Sequence, residues 1–283
     1  MENYSKTLIF SSWLLVPRMV AALVSYEAER HCLGNIDLSI GKDESDGKHG
    51  YFQKKRVPRP QFTFKMEKED HEPSQMAGFT YLYPCASLAE LYDPGTNLVA
   101  GQSLEEIKSA LKGKIKQLLR SPEILASARG NGDAQKWYWA APMLLDKYSP
   151  HANLYSLWFN NKIFSDDMAV DSEDEGQQTA EFSGKTKHFN FLRECFHDPA
   201  KLKLPPLNDK QLESVAEFIA NLAMGSSAIC YLRTQLRQVR LSEEVLTSAY
   251  NVASGFVTLF NKPESIAIVR LTTSSGVYLD RVL

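Results

Sequence analysis

The chain has 283 residues, 43% apolar and 23% charged, which is enough apolar material for a core and excludes wholesale disorder. A formal net charge of −2 gives no global pull toward nucleic acid, so any such contact has to be local. Cys32, Cys85, Cys195 and Cys230 form no Cys-x-x-Cys pair, which fits reduced thiols in the cytoplasm better than a disulfide framework.

The first organised stretch is Lys6–Arg30. Thr7, Leu8, Ile9 and Phe10 read as a buried strand, and Ser11 and Ser12 as a polar turn. Pro17 stands where a first helical turn tolerates it, and Val16, Met19, Val20, Leu23 and Val24 follow at helical spacing. Strand, turn and helix make one β-α unit of an open sheet. A secretory signal peptide is opposed by Pro17-Arg18 inside the apolar run. A membrane span needs about 20 apolar residues and is opposed by Arg18 near its middle. A strand-helix pair from some other α/β enzyme stays open.

Residues 34–47 are polar and Gly-rich and read as loop. Lys48, Lys54, Lys55, Arg56, Arg59, Lys65 and Lys68 then stand among Tyr51, Phe52, Phe62 and Phe64. Pro58 and Pro60 keep the middle extended, and Gln61–Met66 alternates like a strand. Cations neutralise phosphates and aromatic faces stack on bases, so this mixture suits single-stranded or backbone-tracking nucleic-acid contact. A solvated linker beside an edge strand explains it equally well.

Thr80–Pro84 is short and aromatic, Ala86–Tyr92 reads as helix, and Asp93-Pro94-Gly95 as a turn. Ser103-Leu104-Glu105-Glu106 caps an amphipathic helix carrying Ile107, Leu111, Ile115, Leu118 and Leu119, with Lys108, Lys112, Lys114 and Lys116 outside. Those lysines are either phosphate contacts or ordinary soluble surface. Gly130–Asp133 reads as a flexible break. Trp137, Tyr138 and Trp139 point in three directions on a helix, so at most two of them enter the core; Pro142 bends or restarts that helix. Tyr155, Trp158 and Phe159 read as packing. Residues 165–184 read as an acidic loop without the ligand register of a calcium site.

Cys195-x-His197 lacks the second ligand pair that a zinc site requires. After Pro205-Pro206, Asp209–Leu222 reads as a helix. Gly225-Ser226-Ser227 lacks a full phosphate loop and reads as a tight junction, and further helices follow over 228–239 and 245–260. Ser265–Thr272 is apolar and reads as a returning strand.

Lys6–Arg30 resembles the start of the second RecA-like lobe of superfamily 2, Swi/Snf-like helicases, through the pattern Lys-x-Leu-Ile-Phe-Ser-x-Trp followed by a helix. The resemblance places Ser11, Ser12 and Trp13 at the turn that faces nucleic acid. Trp137–Asp146 and Gly225–Arg233 look like segments of large bacterial helicase-related proteins, some tied to phage defence, that carry a helical insertion in that lobe. It implies a mixed α/β but predominantly helical fold, an incomplete RecA-like β-α element plus a large helical insertion domain. The implied division is 1–34 for the lobe, 35–80 for the basic segment, 81–262 for the insertion and 263–283 for a truncated return strand.

No Walker A sequence and no Gln-x-x-Gly-Arg-x-x-Arg segment occurs, and Asp43-Glu44-Ser45-Asp46 has no apolar strand leading into it. The expectation is therefore a translocase fragment that contacts DNA (or RNA) through Ser11, Ser12, Trp13, Lys54, Lys55, Arg56 and Arg59. ATP and Mg2+ belong to the complete enzyme, which needs the missing lobe or a partner subunit. A membrane plays no part in this reading. The competing expectation is a non-catalytic helical interaction module whose aromatic and acidic segments bind protein.

Overall fold

A computed structural model describes residues 15–33, 60–65, 73–160, 175–272, 279 and 282–283. Its α-helices in chain order are α1 (Leu15–Leu33), α2 (Met76–Phe79), α3 (Ala86–Glu90), α4 (Pro94–Val99), α5 (Leu104–Leu119) and α6 (Pro122–Ser127). Then come α7 (Trp137–Lys147), α8 (Ala152–Asn160), α9 (Glu175–His197), α10 (Asp209–Gly225), α11 (Ser227–Gln235), α12 (Glu243–Phe260) and α13 (Pro263–Thr272). The chain divides into two units, Met1–Pro60 with Asn261–Ser274, and Gln61–Phe260 with Ser275–Leu283. In the first unit, α1 and α13 touch each other.

The second unit is organised by two well-capped helices. Ser103 Oγ accepts the Glu106 amide at 3.3 Å, and the Glu106 carboxylate accepts the Ser103 amide at 2.8 Å. This reciprocal box satisfies two amides that a helix start leaves orphaned. Ile107, Leu111, Ile115 and Leu119 then fall on one buried face of α5, which packs on α10. Asn208 and Gln211 form the same kind of box at the start of α10, with amide contacts of 2.9 and 3.0 Å. Helix α10 buries Leu212, Val215, Ile219 and Leu222 and continues through α11 to α12.

The core is aromatic. Tyr155, Trp158 and Phe159 of α8 are fully buried. The Trp158 ring lies 5.1 Å from Phe159 and 5.2 Å from Phe189, and Phe159 lies 5.0 Å from Phe196. Trp158 Nε1–H donates to Thr247 Oγ1 at 3.1 Å, so the indole is buried with its polar atom satisfied. Trp137 and Trp139 are core residues, while Tyr138 stays half-buried with its ring 5.3 Å from Phe218. Two of the three adjacent aromatics enter the core, as their angular spacing requires. Helix α7 runs through Pro142 without a break.

The expected α/β character is overturned. Among the described residues there is no β-strand, so no RecA-like β-α sheet is present in them; Thr7–Phe10 lies outside those residues. The supposed return strand Ser265–Thr272 lies inside α13. Pro263 at the helix start and Glu264 in its first turn favour a helix there, and a short apolar run cannot be assigned by periodicity alone. Residues 61–65 are irregular despite their alternation.

Three local expectations also change. Asp93-Pro94-Gly95 opens α4, with Asp93 accepting the Gly95 amide at 3.0 Å and the Thr96 hydroxyl at 2.9 Å. Residues 175–184 of the expected acidic loop belong to α9. The supposed flexible break at Gly130–Asp133 is pinned: Gly130 donates to Leu204 O at 2.7 Å and Gly132 to Lys203 O at 2.8 Å. Glycine is required because a Cβ on Gly130 would lie 2.2 Å from the Lys203 carbonyl carbon. Gly130→Ala should therefore cost about 1–3 kcal/mol through overpacking, read as a lower urea midpoint at unchanged slope.

Candidate functional site

Ser11, Ser12, Trp13, Lys54, Lys55, Arg56 and Arg59 lie outside the described residues. Three of the four α5 lysines turn toward α10 instead of presenting a free phosphate-binding face, and the fourth, Lys114, donates to Leu91 O at 3.4 Å. Lys108 pairs with Glu217 at 3.1 Å, Lys112 with Glu213 at 2.6 Å, Lys116 also with Glu213, and Arg120 with Asp209 at 3.2 Å. Partner numbers fall along α10 as they rise along α5, so the pairs record an antiparallel register. The bonds from Lys112 and Lys116 pull the Glu213 carboxyl down to about 2.

Gly225–Ser227 is a helix–helix joint. Ser226 is buried, its hydroxyl donates to Tyr81 O at 3.0 Å, and the Ser227 hydroxyl donates to Tyr81 Oη at 3.1 Å. Cys195 is buried, and among the described residues no group of three or more His, Cys, Asp or Glu side chains could hold a metal ion. No single described helix is long and apolar enough to cross a membrane; α10 and α11 together meet that test but are bent by 58°.

A buried polar cluster surrounds the start of α3. The Ala86 amide donates to Tyr155 Oη at 2.8 Å, and the Ser87 amide donates to Asp146 Oδ1 at 2.9 Å. The Ser87 hydroxyl donates to the same oxygen at 2.7 Å, and Tyr155 Oη–H donates to Pro84 O. Asp146 is fully buried. Its Oδ2 and the Tyr83 hydroxyl have no hydrogen-bond partner among the described residues. Burial pushes the Asp146 carboxyl up, against the lowering effect of the two Ser87 bonds. Burial likewise raises Tyr83, Cys85 and Tyr155 far above their ordinary values. Burial thus disfavours the ionised forms of all four groups, so the cluster is structural and the Cys85 thiol in it is not activated as a nucleophile.

The second concentration of charge lines a cavity of about 270 Å³ between α4, α10 and α11. Arg233 is only 8% exposed, and its guanidinium carbon lies 4.8 Å over the Tyr92 ring. Nη2–H donates to Ala223 O near the end of α10, Nη1–H donates to Cys230 Sγ at 3.7 Å, and Nε has no partner among the described residues. Arg237, in the turn just past the end of α11, pairs with Asp93. The arginine spacing is visible in the sequence, but its partners Tyr92 and Asp93 are far away in the chain and carry no local signal.

Helix α1 shows a third kind of surface. Leu15, Met19, Leu23 and Val24 are 53–64% exposed. The first three recur at i, i+4 and i+8 and therefore share one face. Its last turns are polar, with Arg30 forked onto Glu27 at 2.6 and 2.9 Å.

Asp146 and Glu213 should respond to pH with opposite signs. The folded-state value of Asp146 is raised, so its contribution is complete below the ordinary 3.8 and is lost as pH rises through the folded value. Asp146→Asn should remove that loss, so that the variant gains on wild type between acid and neutral pH in urea titrations. Asp146→Ala orphans the Ser87 amide and should cost about 1–3 kcal/mol at either pH. The folded-state value of Glu213 is depressed, so its contribution is present above 4.5 and lost as pH falls through about 2. Glu213→Gln should flatten stability in that acid window only, and added salt should mimic it.

In comparisons with known proteins, no protein-family model, no curated protein and no solved structure matches the chain.

Proposed function

We propose that the chain is a non-catalytic helical interaction module whose docking element is α1, laid by its apolar face into a groove on a partner protein. The supporting observation is the exposed row Leu15, Met19 and Leu23. Contiguous apolar side chains at this spacing are the anchors by which helices enter grooves. The aromatic segments first suspected of binding protein are spent in the core, where Trp137, Trp139, Trp158 and Phe159 are buried. Cys85 and Cys230 are free thiols, which supports work in the cytoplasm.

DNA contact by a helicase fragment is the competing proposal. It rests on the resemblance and on residues outside the described ones, and its expected sheet element is absent from those described.

A photo-crosslinking residue at position 19, in the full chain in its native cells, tests the module. One defined adduct with a different protein should form and should disappear in Leu15→Asp/Leu23→Asp. The thermal midpoint of that variant should stay put, since exposed substitutions move stability by about 0.5 kcal/mol or less. Adducts indifferent to the two substitutions, or formed only between copies of this chain, would sink the proposal. Salt-dependent DNA binding that is lost in Lys54/Lys55/Arg56/Arg59→Ala would favour the translocase instead.

A further inference from the structure

We propose that the cavity between α4, α10 and α11 binds a small organic oxyanion, one phosphate or carboxylate group on a compact apolar body. The starting point is a charge imbalance. Arg233 brings a guanidinium cation into the fold, and burying a cation is costly unless it is paired. Its hydrogen bonds go to a neutral carbonyl and a thiol, and no carboxylate pairs with it among the described residues.

Two features of the site compensate for the charge in part. Ala223 O belongs to the last turn of α10, and a helix end carries roughly half an elementary negative charge. The Tyr92 ring adds the weaker attraction of its face. A simple clamp on the end of α10 would account for Nη2, yet it leaves Nε buried without an acceptor. It also gives no reason for a second guanidinium on the same cavity wall.

That second guanidinium is available for exchange. Arg237 and Asp93 are 54% and 51% exposed, and exposed pairs of this kind contribute little. An incoming oxyanion can therefore replace Asp93 on Arg237 at small cost, while Arg233 supplies the fixed, desolvated charge. Two guanidinium forks match the geometry of phosphate or carboxylate oxygens.

The walls set the size of the ligand. Tyr92, Pro94 and Met224 give apolar surface and Thr234 adds a hydroxyl. A cavity of about 270 Å³ sits at the lower edge of small-ligand sites, which start at roughly 300 Å³. A single oxyanion on a ring-sized body fits this volume. Nucleic acid and protein segments do not. The site lies wholly within the second unit and does not depend on the docking role of α1.

The test is calorimetric titration of the full chain, at fixed ionic strength, with inorganic phosphate, phenyl phosphate and benzoate. Wild type should bind one equivalent of phenyl phosphate or benzoate, whichever chemistry the site prefers, and bind inorganic phosphate more weakly. Arg233→Met should weaken that affinity at least tenfold, and Asp93→Asn, by freeing Arg237, should tighten it several-fold. No binding of any probe to folded wild type overturns the proposal, as does undiminished affinity in a folded Arg233→Met. If that variant does not fold, alkylation of Cys230 by iodoacetamide in a Cys32→Ser background decides. Saturable slowing by the bound probe supports the site, and an unchanged rate places the probe elsewhere and overturns it.

Discussion

The amino-terminal amides of α3 are buried, and a buried amide without an acceptor is among the costliest defects a fold can carry. Helix α3 has five residues and cannot persist by its own cooperativity. Its first donors are satisfied only because α8 brings in Tyr155 and α7 brings in Asp146. Tyr81, five residues ahead of α3, is held in the same way, since it accepts the hydroxyls of both Ser226 and Ser227 at the α10–α11 joint. Four helices thus converge on one short segment. Their apolar faces supply the bulk of the burial, and these polar contacts fix which arrangement that burial adopts.

Charge is used differently at the rim. The α5–α10 ion pairs are partly exposed, and pairs of that kind add little to stability, so their main effect is to align two antiparallel helices whose apolar stripes already match. Arg233 is the opposite case, a cation taken out of water without a carboxylate of its own. The same fold therefore contains a charged layer that is internally neutralised and, in Arg233, a buried cation that no carboxylate among the described residues neutralises.

What the sequence discloses divides along the range of the interactions involved. Helices α5 and α10 are legible because Ser103–Glu106 and Asn208–Gln211 close their boxes within three residues, before any tertiary contact forms. The core roles of Trp137 and Trp139 follow from helical angles alone. Helix α13 is not legible as a helix, because Ile266, Ile268 and Val269 are β-branched and the run is too short for its period to decide. The Gly130–Gly132 segment looks free until its acceptors on Lys203 and Leu204 are known. The arginine cavity is hidden for the same reason: Arg237 meets its carboxylate 144 residues away.

These separations also bear on how the molecule assembles. Ser87 and Asp146 are 59 residues apart, Ala86 and Tyr155 are 69 apart, and Tyr81 and Ser226 are 145 apart. Helices α5 and α10 can nucleate from their own caps, whereas α3 has no acceptors for its first amides until the two long loops to Asp146 and Tyr155 have closed. Loop closure of this kind slows folding even in helical chains, which otherwise fold quickly through local contacts. Protection of the Ala86 and Ser87 amides from solvent therefore depends on contacts between distant parts of the second unit.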